Sequence, residues 1–412
     1  MYTEASEMEP RMPSLDGAML RGLAVESIRE SAALGGALHP RTRASVASLL
    51  RRMNSYYSNL IEGHNTHPID IDRALAHDYS AEPAKRALQI ESAAHVEVQS
   101  LMEDRLAREP SLDICHADFL RWIHAEFYRR LPDEFHWVDR GDGEKHRVVA
   151  GLVRSTEVTV GRHLAPRAAS VPSFLARFAD GYAPARFDDA ERIIAAAASH
   201  HRLLWIHPFL DGNGRVARLF THAYLHRARI DGHGLWAVTR GLARSRDAYL
   251  AALEDADEPR RGDLDGRGNL SETGLAAFCT FFLETVLDQI RYMRDVLEID
   301  ALQARIAGFI ELAASRREAR PEAVFLLREV MLRGEIARGE AARATGLGTR
   351  SAQALVADLL RRGWLETSSA KGPLHLGLPA NVVAYYFPRL YPEAVETTAT
   401  LRARAPRGGD EV

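Results

Sequence analysis

The chain is predicted to be mainly α-helical, with one short β segment and a C-terminal unit built in a different style. Three observations carry this. Apolar residues recur at three- and four-residue spacing over most of the first 313 positions. β-Branched residues concentrate only around residues 148–160, ahead of Gly161 and Pro166. From Pro321 onward, short helical stretches separated by glycine turns replace the long ones. A length of 412 residues, 46% of them hydrophobic, suits two or three globular domains. With 53 Lys and Arg against 56 acidic residues, the net charge of −3 excludes a chain that is nucleic-acid binder throughout, so any basic surface is local.

In order along the chain, residues 1–30 read as a flexible tail running into a first helix, with periodic apolar positions at 18–33. An N-terminal helical region follows over 31–110, with helices at 41–61, 70–76 and 82–106. A core is expected over 111–300, with helices at 111–131, 188–205, 215–229 and 244–256 and a long one over 271–313 that either forms core or faces a second copy in a homodimer. The β-branched stretch reads as a hairpin or flap. Residues 301–320 connect to a module at 321–392, where helices at 323–332, 338–345 and 351–362 precede two strands, 364–367 and 374–378. Three helices and a two-stranded ribbon are the winged-helix order. Residues 393–412 read as a frayed tail. Two distant cysteines, Cys115 and Cys279, lack ligand-like neighbours, and no signal-peptide pattern or run of ~18 apolar residues stands out. The expectation is therefore a cytoplasmic protein with no membrane span.

Chemistry concentrates at residues 207–218, His-Pro-Phe-Leu-Asp-Gly-Asn-Gly-Arg-Val-Ala-Arg. The preceding helix delivers His207 to its C-terminal end, and Pro208 stops it. A new helix opens near Arg215 and aims free backbone amides into the turn, which makes an anion site. Gly212 and Gly214 allow close approach of phosphate oxygens, and Asn213 adds an amide donor. Arg215 and Arg218, three apart, face the same side, where a polyphosphate would lie. Asp211 suits Mg²⁺, which takes one carboxylate together with phosphate and water oxygens. His207 is placed to accept a hydroxyl proton. Each part alone has a structural reading; the ordered string points to a nucleotide-phosphate site.

That string resembles the Fic family motif, His-x-Phe-x-Asp/Glu-Gly-Asn-Gly-Arg-x-x-Arg, over a region of likeness spanning residues 40–300. The resemblance implies a Fic-type helical bundle and transfer of AMP from ATP to a protein Ser, Thr or Tyr hydroxyl. His207 would be the base, Phe209 the loop anchor and Asp211 the Mg²⁺ ligand. Gly212, Asn213 and Gly214 would lie at the α- and β-phosphates, and Arg215 and Arg218 at the β- and γ-phosphates. The flap between Val153 and Val160 would hold the target protein by strand addition.

A second string, Ser58-Asn-Leu-Ile-Glu62-Gly63, ends the helix at 41–61. Ser58 and Glu62 share a face, and Gly63 suits the left-handed residue that closes a helix. Taken alone it is a glycine-capped helix end. It also resembles the Ser/Thr-x-x-x-Glu-Gly/Asn inhibitory helix of Fic proteins, which implies that Glu62 pairs with Arg218 and blocks the γ-phosphate.

Weaker signals complete the reading. Arg246, Tyr249 and Leu253 share a helical face where an adenine pocket would close, which makes Tyr249 a nucleotide-binding candidate against a plain buried tyrosine. Residues 263–269 fail as a calcium loop because Arg267 occupies a ligand position. His222 and His226 read as surface residues. The 321–390 module carries nine Lys and Arg against six acidic residues, including Arg350, Arg361, Arg362 and Lys371, yet Gln353 is almost its only base-reading side chain, so DNA and protein partners both stay open. Beside AMP transfer, AMP removal, another nucleotide donor and a nucleotide-sensing transcription regulator remain as alternatives.

Overall fold

The computed structural model describes residues 2–139 and 144–391, so the expected tail at 393–412 lies outside the described residues. The helices are α1 (Gly17–Gly35), α2 (Pro40–Ile61), α3 (Pro68–Leu75), α4 (Pro83–Arg108), α5 (Ala117–Tyr128), α6 (Val171–Tyr182), α7 (Asp189–Ile206), α8 (Asn213–Arg227), α9 (Val238–Arg244), α10 (Arg246–Asp257), α11 (Glu272–Val296), α12 (Ile299–Ser315), α13 (Ala323–Arg333), α14 (Ala341–Thr345), α15 (Thr349–Arg361) and α16 (Ala380–Tyr386). The strands are β1 (Trp137–Asp139), β2 (Lys145–Arg147), β3 (Thr159–Val160), β4 (His163–Leu164), β5 (Glu335–Ile336), β6 (Leu365–Glu366) and β7 (Leu374–Leu376). The mainly helical class is thus as expected. The chain forms two compact units, and they do not follow the expected linear division: residues 36–53 and 67–77 join residues 293–412, while 54–66 belong with 1–35 and 78–292.

The larger unit is organised by α7. Its Asp188 cap accepts from the Glu191 amide, and Glu191 reaches back to the Asp188 amide, a reciprocal box that fixes where the helix starts. Ala190, Ile193, Ala197, His201, Trp205 and most residues between them are buried, so α7 is enclosed on all sides, as a central bundle helix must be. It packs against α1, α6, α8 and α10. Leu275, Phe278, Phe282, Val286 and Ile290 bury the apolar face of α11. That helix is long and apolar enough to cross a membrane by composition alone, but its apolar face lies in this core.

Three local expectations are corrected. The N-terminal tail is not free: Arg202 donates to the Pro10 carbonyl (2.9 Å), Tyr182 to the Arg11 carbonyl (2.7 Å), and the Tyr2 ring lies on Trp205. The helix expected over 271–313 breaks at Glu298, whose carboxylate accepts from the Asp300 and Ala301 amides and starts a new helix. The hairpin expected over 148–160 has its first strand only at Thr159–Val160, paired with His163–Leu164 across a turn at Gly161 (φ +58°). A second hairpin, β1 with β2, lies earlier, where no strand was expected.

In the smaller unit, β5 lies between α13 and α14, β6 and β7 follow α15, and the three strands pair in the antiparallel order β5-β7-β6. β5 adds a third strand to the two expected ones. α15 buries Ala352, Leu355, Val356 and Leu359 and exposes Gln353, Ala354 and Ala357. Arg361 and Arg362, two of the four basic candidates for DNA contact, both pair with Asp358, whose single charge offsets one of them.

Candidate active site

Residues 207–212 join α7 to α8, and their shape follows from local bonds. His207 closes α7 in the left-handed region (φ +49°), a conformation uncommon for a β-carbon residue and typical of functional turns. Phe209 is fully buried, its ring stacked on His124 at 4.1 Å. Its amide donates to the Asn213 side-chain oxygen (2.9 Å), and the Asn213 amide donates back to the Phe209 carbonyl (2.9 Å). Asn213 therefore ties the loop to itself rather than reaching outward as a phosphate donor. Gly212 is left-handed (φ +77°), and a Cβ there would come within 2.9 Å of the Tyr128 ring.

The His207 ring is half-buried, and desolvation, with His163 and Arg154 nearby, lowers its pKa to about 4. It is thus a neutral base at pH 7. The unfolded imidazole binds a proton below about 6.5, the folded one only below about 4. Burial of this ring therefore costs stability progressively as pH falls between those values. An NMR titration of the nucleotide-free protein is expected to show His207 unprotonated at pH 5.5; a midpoint at or above 6.5 would contradict the desolvation argument.

Asp211 is held on one oxygen, Oδ2, by the Tyr128 hydroxyl (2.6 Å) and by Arg215 (3.3 Å). Burial alone would raise this carboxyl, but Arg215, Tyr128 and the Gly212 amide outweigh it and keep the pKa below the usual carboxylate range. Among the described residues, no group of three or more His, Cys, Asp or Glu is arranged to hold a metal. A lone ionised carboxylate beside an anion site fits Mg²⁺, whose remaining ligands come from phosphate and water.

The two motif arginines face different partners. Arg215, nearly buried, bonds Glu91 and Asp211 and lies over the Phe127 ring at 5.1 Å. Arg218 donates to Ser58 Oγ (2.9 Å), to the Ser58 carbonyl (3.2 Å) and to Glu62 Oε1 (2.5 Å). Glu62 reaches it because Gly63 (φ +87°) closes α2: the His64 amide bonds the Asn59 carbonyl (2.8 Å) and the Gly63 amide bonds the Leu60 carbonyl (3.1 Å). Arg246 adds a bond to the Ile61 carbonyl (2.9 Å). The Glu62 carboxylate lies directly over Gly214, in the space a Cβ would need. Burial would raise its pKa, but Arg218 and Arg215 reverse that and keep it ionised. A carboxylate thus stands at the N-terminus of α8, where an anion is favoured.

Tyr249 is not at an open pocket. It is 1% exposed, and its hydroxyl bonds His200 Nε2 (2.7 Å), whose Nδ1 meets Thr221 Oγ1 (2.7 Å), so it serves the core beneath Arg218. His222 is likewise buried, on Glu103 (2.9 Å).

Several site residues escape a reading of sequence. Arg154 donates to the carbonyls of His207 (2.8 Å), Thr156 (3.0 Å) and Pro166 (2.6 Å), clamping the flap segment to the motif loop. His163 ties β4 to the Trp205 carbonyl at 2.7 Å. His124 accepts from the Gly151 amide (2.8 Å) on Nδ1, which leaves Nε2 as the donor toward the Asp211 carbonyl (3.3 Å). Glu91 and Tyr128 complete the set. A lone Arg, His or Glu carries no motif, and no local signal marks them.

Residues 113–225 match the family model described as Fic/DOC family. The chain is 31% identical over 224 residues to a protein adenylyltransferase Fic of Nematostella vectensis, covering 53% of this chain and 47% of that protein. To the protein of the same name from Drosophila grimshawi it is 28% identical over 142 residues, 32% of this chain and 29% of that one. The chain thus spans about half or less of the length of these curated relatives. A solved Fic family protein from Desulfovibrio desulfuricans G20 aligns at 19% identity and a TM-score of 0.48, covering 86% of this chain and 95% of that chain. The matched segment contains α5, α7, the His207–Arg218 loop and nearly all of α8, and this chain accordingly carries a Fic/DOC family domain at residues 113–225.

Proposed function

We propose that this chain is a protein adenylyltransferase that moves AMP from ATP to a Ser, Thr or Tyr hydroxyl of a target protein and is restrained by its own Glu62. The observation that carries this reading is the pairing of a neutral, half-buried His207 with an anion site at the α8 N-terminus on the same six-residue loop. The naming of the relatives as protein adenylyltransferases supports it. In the step, the target hydroxyl oxygen bonds to the α-phosphorus, the bond to the β-phosphate oxygen breaks, and pyrophosphate leaves. His207 takes the hydroxyl proton. The Gly212–Gly214 backbone and Arg218 hold the phosphates. Arg215 acts mainly by orienting Asp211, which would hold Mg²⁺; that ion, when bound, neutralises phosphate charge. The exposed β3–β4 hairpin, tethered to the site by Arg154 and His163, is the surface along which the target backbone is held. On the same reading the smaller unit is a winged helix, supported by its three helices and its β5-β7-β6 sheet.

The test is transfer of label from ATP carrying ³²P at either the α or the γ position, using Glu62→Gly with Mg²⁺ and a cell lysate. Label from the α position alone is expected. Label from γ alone would replace the proposal with phosphoryl transfer. No label from either, with ATP binding intact, would replace it with AMP removal or a sensing role.

A further inference from the structure

A second carboxylate stands on the other motif arginine. Glu91, fully buried on α4, bonds Arg215 through Oε1, and its Oε2 lies 2.8 Å from Nδ1 of His64. His64 follows Glu62 by two residues, across the left-handed Gly63. The three residues that close α2 therefore reach both motif arginines: Glu62 directly onto Arg218, and His64 through Glu91 onto Arg215.

The two arms differ in strength. The Glu62 side chain is 33% exposed, so the pair it makes with the buried Arg218 is partly open to solvent screening and is the more weakly held of the two arms. Glu91 has no exposed surface and is paired with Arg215, so a donor bound to it is held in a poorly screened site. Gly63 is the most permissive backbone in the segment, and without a hold beyond it the Glu62 end of α2 has a ready hinge.

We infer that His64 and Glu91 are positioning residues of the restraint, forming a second clasp that keeps Glu62 seated over the phosphate site. This rests on the inhibitory reading of Glu62. Neither residue touches the reacting atoms; both act by fixing where the 62–64 segment lies.

The test compares wild type, His64→Ala, His64→Gln, Glu62→Gly and His64→Ala/Glu62→Gly, all full-length. Two quantities are read: label transferred from α-³²P ATP, and affinity for a fluorescent non-hydrolysable ATP analogue. His64 is partly exposed, so its variants are expected to fold. His64→Ala is expected to raise both labelling and analogue affinity several-fold over wild type, yet below Glu62→Gly. His64→Gln, which keeps a donor toward Glu91, is expected to stay near wild type. In the Glu62→Gly background, His64→Ala is expected to add nothing, because no carboxylate remains to be seated. If Glu62→Gly is activated while His64→Ala behaves as wild type in both readouts, the clasp is overturned and the Glu62 reading stands. An equal gain from His64→Ala in both backgrounds would also overturn it, since the effect would then not pass through Glu62. If Glu62→Gly itself matches wild type, the inhibitory reading fails and the clasp fails with it.

Discussion

Glu62→Gly is expected to raise the initial rate of AMP transfer by ~10–100-fold over wild type, the equivalent of losing one competing charge-assisted bond of ~1.5–3 kcal/mol. Three effects point the same way. The substitution frees one N–H of Arg218 Nη2, which now donates to Glu62 at 2.5 Å, and it clears the carboxylate that sits over Gly214. It also removes a negative charge from the place a phosphate would enter. Because Arg218 keeps its bonds to Ser58, the guanidinium stays oriented in the variant and needs no rebuilding of the site. Glu62→Gln should fall between the two, since an amide still fills the space but carries no charge. Initial rates with α-labelled ATP decide this; a folded Glu62→Gly protein with the wild-type rate would show that Glu62 is only a helix-end residue.

The second large effect is expected from His207→Ala in the Glu62→Gly background. The rate should fall by ~10²–10⁴, the usual contribution of a positioned general base. ATP affinity should hardly change, because the anion site is made by the α8 backbone and Arg218 and not by the imidazole. The loss should therefore appear in kcat, with the KM for ATP close to that of Glu62→Gly alone. The loop is expected to survive the truncation, since its shape rests on the Phe209–Asn213 bonds, Gly212 and the Arg154 clamp on the His207 carbonyl. A residual rate within a few-fold of the parent would mean that the hydroxyl proton leaves by another route and that His207 is a helix terminator.

What could be read from the chain and what could not divides along a physical line. The central loop was legible because its parts are neighbours in sequence: a proline that stops α7, a glycine that turns left-handed, and arginines one helical turn apart. Gly63 was legible for the same reason, since a Schellman-type closure uses only residues 59–64. Tyr249 misled because an aromatic at helical spacing looks the same whether it borders a pocket or a core, and only its enclosure against His200 distinguishes the two. The flap was misplaced by several residues because β-branched composition marks extended chain, whereas the hairpin itself depends on the turn at Gly161.

By itself, the sequence determined the helical class, the loop that carries His207, Asp211 and Arg218, and the closure of α2 that carries Glu62. Each depends on periodicity or turn chemistry over a handful of residues, where backbone sterics leave few choices. Only the tertiary structure decided that Arg215 is held by Glu91, that Tyr128 and His124 brace Asp211, that Arg154 joins flap to loop, and that residues 36–53 and 67–77 belong with the C-terminal unit. Those side-chain pairings bring together positions 53 to 124 residues apart, and the groups that make them are common residue types whose partners are chosen by burial: a charge or carbonyl removed from water takes whatever complementary group the packed core presents.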